Sequence, residues 1–322
     1  MARKLVVTVD SCVLTDAHRA AISAAAAANG FSAEFYDNDA AGLAAASDAE
    51  VLFGSSAMLA AAASHLKWMC TPSAGVGHLT APGTFASHEA VLSNSSGAYG
   101  VTIAEHILLV ILTMLRRQPA YNEIVSRRAW TRDLAVRSIK NSRVTLLGTG
   151  DIGRTAAARL RAFEPACLIG MNRSGRPAGD NFDRIITEKN LDSVLKETDI
   201  LIMALPGTAQ TAHILSKDRL AALPDSALIV NVGRGSAIDR TALEQELRAG
   251  RLMAALDVFE QEPLPEDDSL WTCPGLLITP HVAGNMTLAY TADRIVQLFL
   301  EDFENYCAGR PILRQVDRQL GY

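Results

Sequence analysis

The sequence predicts an α/β protein built from two doubly wound domains, and three observations lead there. Strand-length apolar runs alternate with helical segments along nearly the whole chain. The runs are continuously apolar, as expected of parallel strands covered on both faces by crossover helices. The length, 322 residues, exceeds one ordinary core and suits two domains.

The predicted strands are Leu5–Val9, Ser32–Tyr36, Val51–Gly54, Lys67–Cys70 and Val91–Ser93, then Arg143–Leu147, Cys167–Met171 and Ile185–Thr187. Ile200–Leu205, Leu228–Val232, Met253–Val258 and Leu277–Thr279 complete the set. Helices fit between most of them, for example Ala17–Ala28 and Thr155–Phe163. The alanine run Ala24–Ala28 reads as strong helix former rather than low complexity.

Two loops of small polar residues divide the chain. One, Asn94-Ser95-Ser96-Gly97-Ala98-Tyr99-Gly100, precedes a long apolar helix; the other, Ala283-Gly284-Asn285, precedes a final helix at roughly 287–306. If that last helix packs back on the first part, residues 1–98 plus 285–322 form one domain and 99–284 the other. Two crossings would join them and could act as a hinge.

Composition narrows the function classes. With 49% hydrophobic and 20% charged residues the chain reads as a globular protein. A net charge of −5 argues against nucleic acid and anionic membrane as partners. The start, MARKLVVTVD, is no secretory signal. The most apolar stretch, Ile103–Leu115, spans 13 residues, short of the ~20 a membrane-spanning helix needs. Five cysteines, at 12, 70, 167, 273 and 307, are scattered and never in CxxC spacing. Neither a disulfide framework nor a metal site is expected, and a cytoplasmic location fits.

Arg143-Val144-Thr145-Leu146-Leu147 runs directly into Gly148-Thr149-Gly150-Asp151-Ile152-Gly153 and then a helical segment. In such a GxGxxG the first glycine permits a tight turn, the second admits a pyrophosphate to the backbone, and the third lets helix and strand pack closely. Amides at the helix start then face the anion. A purely structural glycine turn is the plainer alternative. An acid for the adenosine ribose belongs about 20 residues on. Nineteen residues beyond Gly153 stands Asn172, and no carboxylate lies between Ala166 and Gly179. Arg173 and Ser174 offer a cation and a hydroxyl suited to a 2′-phosphate, so NADP(H) is expected over NAD(H). Arg173 stacked on adenine, or simply solvated, is the competing reading.

Three further segments end an apolar strand with a polar group, where ligands sit in such sheets. They are Asn231-Val232-Gly233-Arg234-Gly235, the run from Ala255 through Asp257 and Glu262 to Pro265, and Thr279-Pro280-His281-Val282-Ala283-Gly284. A guanidinium between two glycines matches a carboxylate, and a histidine beside a carboxylate suits proton delivery to a developing alkoxide. Taken singly, each has a plain alternative: Arg234 a surface charge, Glu262 a turn residue, His281 a surface or core histidine.

The motifs GTGDIG, NVGRG, ALDVFEQEPLP and TPHVAG, in this order and spacing, closely resemble the D-isomer-specific 2-hydroxyacid dehydrogenase family. The likeness spans essentially the whole chain and is densest over 143–285. It implies a Rossmann-type cofactor domain inserted in a smaller flavodoxin-like substrate domain. It implies a catalytic set of Arg234, Glu262 and His281. Arg234 would hold the substrate carboxylate, His281 would be the acid/base, and Glu262 would orient it and raise its pKa. Gly148, Gly150, Asp151, Ile152, Gly153, Arg173, Ser174, Leu205, Pro206, Thr211, Val232, Asp257 and Gly284 would line the cofactor, Asp257 at the nicotinamide carboxamide. Gly75, Val76 and Gly77 resemble the loop whose amides grip the substrate carboxylate, although many relatives carry aspartate in place of Gly77. His78 and His106 read as structural. The 101–117 helix and the arm after it imply a homodimer. The Asn172-Arg173-Ser174 pattern is similar to the NADPH-using glyoxylate/hydroxypyruvate reductase branch, implying reduction of a small 2-oxo acid to its D-2-hydroxy acid.

A nucleotide-sensing corepressor is the rival of a different class; the complete Arg/Glu/His set and the lack of basic tails weigh against it. Formate dehydrogenase is disfavoured by Glu262, where that relative has glutamine. A phosphoglycerate dehydrogenase with an appended domain is disfavoured because 41 residues follow His281. The preferred 2-oxo acid is left open.

Overall fold

The computed structural model describes residues 3–10 and 13–321. Cys12 lies outside these, as do residues 1 and 322 at the ends of the expected domain ranges. The chain divides into two compact units, Met1–Tyr99 with Asn285–Tyr322, and Gly100–Gly284.

In the first unit five strands, β1 (Arg3–Val7), β2 (Phe31–Phe35), β3 (Val51–Phe53), β4 (Trp68–Cys70) and β5 (Val91–Ser93), form a parallel sheet ordered β2-β1-β3-β4-β5. That is the flavodoxin-like order. Short polar side chains start its helices: Thr15 caps Asp16–Ala28, Asn38 caps Asp39–Ala46 and Ser56 caps Ala57–Ala62. The final helix, Ala289–Cys307, belongs to this unit because its apolar stripe is buried here. Ile295, Phe299 and Phe303 are buried, and the Phe299 ring stacks 4.1 Å from Phe53 and 5.5 Å from Trp68. The fully buried Asp302 on the same helix is tolerated because Arg314 Nε (3.1 Å) and the Leu313 amide (2.9 Å) satisfy it.

In the second unit seven parallel strands take the order β12-β11-β10-β9-β6-β7-β8. They are β6 (Arg143–Leu147), β7 (Cys167–Met171), β8 (Arg184–Ile186), β9 (Ile200–Met203), β10 (Leu228–Asn231), β11 (Met253–Leu256) and β12 (Leu276–Ile278). From β6 the chain builds outward through β7 and β8, then returns to the other side of β6 with β9. The order reverses there, and ligands of such sheets bind at the carboxyl ends beside that switch point.

Each predicted strand is present, with ends displaced by up to two residues. The helix predicted at Thr155–Phe163 starts earlier, at Asp151, because Gly150 is itself the N-cap. It tightens into a 3₁₀ turn at Arg161–Phe163, and Glu164 (φ 54°) ends it. The apolar stretch 103–115 falls within the helix Gly100–Leu115, with Ile103, Ile107, Val110, Ile111 and Met114 on its buried face. Among the described residues no helix is long and apolar enough to cross a membrane.

Candidate active site

The carboxyl ends of β6, β7, β9, β10, β11 and β12 all carry residues singled out by sequence. After β6, Gly148 (φ 99°) occupies the left-handed region, and a Cβ there would lie 2.6 Å from the Ala204 carbonyl oxygen. A Cβ on Gly153 would overlap the Gly148 carbonyl, so this glycine is what lets helix and strand meet. A Cβ on Gly150 would meet nothing within 4 Å. The turn is therefore closed behind and open in front at its second glycine. The helix Asp151–Leu160 has no side-chain cap, so its first amides are suited to an anion, and the residues present fit a dinucleotide pyrophosphate. The Asp151 side chain turns towards Gly100, where its Oδ2 is buried without a hydrogen-bond partner.

After β7, Asn172 organises the turn that carries Arg173 and Ser174. Its Nδ2 donates to Thr149 Oγ1 and to the Arg176 carbonyl (both 3.0 Å), and its Oδ1 accepts from the Gly175 amide (2.7 Å) and Ser174 Oγ (3.3 Å). Arg173 and Ser174 are exposed. After β9, Thr211 Oγ1 donates to the Pro206 carbonyl (2.6 Å) and accepts from the Thr208 amide (2.9 Å), fixing the 205–211 loop. Leu205 belongs to the core of the unit, and Val232 is 7% exposed.

After β10 the chain is shaped by Asn231, fully buried at the end of an otherwise apolar strand. Its Oδ1 accepts from the Gly233 amide (3.0 Å) and its Nδ2 donates to the Arg234 carbonyl (2.8 Å). Both glycines flanking Arg234 are sterically required: a Cβ on Gly233 would lie 2.7 Å from Leu205 backbone atoms, and one on Gly235 would overlap the Phe259–Glu260 peptide. Arg234 is thereby held between the 205–207 loop, where a Cβ on Gly207 would come 3.0 Å from its Cγ, and the segment leading to Glu262. Burial pulls its guanidinium below the usual range, and the Glu262 carboxylate pulls the other way.

Glu262 and His281 form a pair, with Nδ1 2.6 Å from Oε2. The other carboxylate oxygen, Oε1, accepts from the Phe259 amide (2.7 Å), which fixes the Glu262 rotamer. With Nδ1 engaged, Nε2 is the ring nitrogen left for a substrate. Asp257, 2% exposed, carries an internal load: Oδ1 accepts from Thr279 Oγ1 (2.6 Å) and the Val282 amide (2.9 Å), and Oδ2 accepts from the Ala283 amide (3.0 Å). A carboxylate has about four acceptor sites, so one remains at Oδ2. His106 Nε2 lies 3.3 Å from Thr279 Oγ1 and 3.8 Å from Asp257 Oδ1. Gly284 closes this loop and is partly buried.

In the first unit Gly75, Val76 and Gly77 follow β4 in a turn pinned by side chains. Tyr99 donates to the Pro72 carbonyl (2.6 Å), Asn94 to that of Ala74 (2.8 Å) and Ser73 to that of Gly75 (3.1 Å). Gly77 opens on free space, and His78 Nε2 lies 2.7 Å from the Ser55 carbonyl.

Sequence reasoning quoted Asn172, Asn231 and Thr279 within its motifs but gave their side chains no positioning role. The signal for Asn231 was there: a lone amide ending the strand Leu228–Asn231. Among the described residues no group of three or more His, Cys, Asp or Glu side chains could hold a metal ion.

A Rossmann-type sheet with an open glycine turn at its switch point, and an arginine and a glutamate–histidine pair along the same edge, is an arrangement suited to a nicotinamide-dependent oxidoreductase. A family model described as "D-isomer specific 2-hydroxyacid dehydrogenase, NAD binding domain" matches residues 108–283. Glyoxylate/hydroxypyruvate reductase A of Salmonella newport (strain SL254) is 32% identical over 225 residues, covering 69% of this chain and 70% of that one. A D-isomer specific 2-hydroxyacid dehydrogenase family protein from Aeromonas salmonicida subsp. salmonicida has a similar solved structure. Its TM-score is 0.86 at 30% identity, over 99% of this chain and 100% of that one. An NADPH-dependent glyoxylate/hydroxypyruvate reductase from Sinorhizobium meliloti, solved with NADP and sulfate, gives 0.81 at 26% identity, over 99% and 100%. The chain belongs to the D-isomer specific 2-hydroxyacid dehydrogenase family and is an NAD(P)-dependent oxidoreductase of that family.

Proposed function

We propose that the enzyme reduces a small 2-oxo acid of the glyoxylate, hydroxypyruvate or pyruvate kind to its D-2-hydroxy acid, with NADP(H) as cofactor and His281 as acid/base. The observation that carries this reading is the 2.6 Å His281–Glu262 pair, at the ends of β12 and β11, the two strands that follow β10 and its Arg234 in the sheet. The dinucleotide, when bound, supplies the hydride. Its pyrophosphate is assigned to the amides at Gly150, Asp151, Ile152 and Gly153, with Leu205, Pro206, Thr211, Val232 and Gly284 as further lining and the spare Asp257 acceptor for the carboxamide. Arg234 offers two parallel N–H donors to the substrate carboxylate. His281 delivers its Nε2 proton to the carbonyl oxygen as charge develops there, and Glu262 offsets the charge of the imidazolium. The turn at 75–77 keeps, within this proposal, the carboxylate-gripping role implied by the resemblance.

Arg173 and Ser174, with no carboxylate nearby in sequence, favour a 2′-phosphate, and the Sinorhizobium reductase is itself described as NADPH-dependent. The Salmonella relative's name supports the substrate class. NADPH oxidation measured with glyoxylate, hydroxypyruvate and pyruvate, and repeated with NADH at equal concentration, tests both points. Turnover is expected with at least one acid and faster with NADPH. Arg173→Ala should raise the KM for NADPH about ten- to a hundredfold, the worth of a charged hydrogen bond, and leave that for NADH unchanged. No turnover of any of the three acids would remove the substrate assignment, and an advantage for NADH would remove the cofactor assignment.

A homodimer is part of the proposal. Leu109 on the helix Gly100–Leu115 is 61% exposed, and after it Val125 (66%), Trp130 (90%) and Val136 (46%) present apolar side chains to solvent. Sedimentation at micromolar concentration should give twice the mass of the chain, and a monomer would count against this surface.

A further inference from the structure

We infer that His106 is a positioning residue for the proton donor, acting through Thr279 and Asp257 to hold the loop that carries His281. The inference rests on the reading of His281 as acid/base.

His281 has φ 54°, a left-handed conformation that a non-glycine residue keeps only when its surroundings impose it. The imposing contacts converge on Asp257. The His281 amide donates to the Asp257 carbonyl (2.9 Å), and the next two amides, of Val282 and Ala283, donate to the two oxygens of the Asp257 carboxylate. One buried carboxylate thus clamps the turn on the carboxyl side of the imidazole.

That carboxylate is itself aimed by a chain of donors. The Thr279 hydroxyl gives its single proton to Asp257 Oδ1 at 2.6 Å, so towards His106 it can only accept. The 3.3 Å contact then assigns the hydrogen to His106 Nε2, a tautomer inferred from the network. Burial lowers the pKa of this imidazole and keeps it neutral, against the opposing pull of Asp257. The sequence Nε2–H to Thr279 Oγ–H to Asp257 carboxylate is a polarised chain in which each donor strengthens the next. Its far end stands on the helix Gly100–Leu115, whose buried face anchors it in the unit. The turn bearing His281 is thus tied to a helix through a contact between residues 173 apart in sequence.

The test uses the full chain in the variants His106→Leu, His106→Gln, Thr279→Val and the double variant carrying both His106→Leu and Thr279→Val, with His281→Ala as reference. His106→Leu and Thr279→Val should each lower kcat about ten- to a hundredfold, the effect of a small misplacement, while NADPH affinity by protein fluorescence falls by less than about tenfold, the worth of the one carboxamide hydrogen bond at Asp257. Glutamine places an amide donor near the same point and should return kcat to within about threefold of the parent, which mere packing would not do. The double variant should be no slower than the slower single one, because both cut one chain. If His106→Leu disturbs the helix, seen as a larger loss of NADPH affinity, the near-isosteric Thr279→Val carries the same expectation. Parental kcat in His106→Leu and Thr279→Val beside an inactive His281→Ala overturns this inference alone, as does a His106→Gln variant as slow as His106→Leu. Parental turnover in His281→Ala overturns the acid/base reading, and this inference with it.

Discussion

The substitution His281→Ala is expected to lower kcat by about 10²- to 10⁴-fold, the usual worth of a positioned general acid, while NADPH affinity stays near that of the parent. The reason lies in how the imidazole is held. Nδ1 is committed to Glu262 at 2.6 Å, Glu262 is in turn fixed by the Phe259 amide, and Nε2 is left to serve the substrate. In the proposed reaction, removing the ring would leave the alkoxide to be protonated by unoriented water. It removes no backbone hydrogen bond, and the side chain is half exposed, so the fold should survive. Steady-state kinetics with saturating 2-oxo acid, alongside NADPH titration by fluorescence, check both halves. Near-parental kcat would exclude His281 as the acid.

Arg234→Ala is the second large effect. Its guanidinium is the positive group placed beside Glu262 at this edge of the sheet, and its stem packs against the 205–207 loop. The charge should act in both ground and transition states: first on the carboxylate, then on the carbonyl oxygen as it becomes negative. Both KM and kcat are therefore expected to suffer, with kcat/KM down about 10³-fold, comparable to the loss of an oxyanion donor. Arg234→Lys should recover little of this, since an ammonium cannot present two parallel donors. A variant with parental KM would show that the substrate carboxylate is held elsewhere.

The fold was legible because its signal is local. Runs such as Ile200–Met203 and 228–230 are apolar on both faces, as strands buried on both sides are. The glycine turn was legible because Gly148 and Gly153 each have a steric reason to lack a Cβ while Gly150 opens on free space, and their spacing records it. Arg234, Glu262 and His281 could be singled out as strand-end residues, but their pairing could not be derived from spacing. His281 and Glu262 meet across the ends of β12 and β11, and resemblance supplied that link.

What stayed hidden is the support behind these groups. Asn172 stands where an acid was sought, so it was noted as an absence, although its side chain joins the Thr149 turn to the Arg173 turn. Asp257 was expected to face the cofactor, whereas most of its acceptor capacity is spent inside the loop. His106 reads as one more polar residue on an apolar helix, because its partner, Thr279, is adjacent only in the folded chain. Hydrogen bonds between remote elements leave no periodicity in a sequence.

The central claim is that one arginine and one carboxylate-paired histidine converge on a single reducible carbonyl. A crystal structure with NADPH and oxamate, an unreactive 2-oxo acid analogue, measures this most directly. The oxamate carboxylate is predicted on the Arg234 guanidinium, with the neighbouring carbonyl oxygen within hydrogen-bond distance of His281 Nε2. Oxamate bound with its carbonyl away from His281, or its carboxylate on another cation, would contradict it.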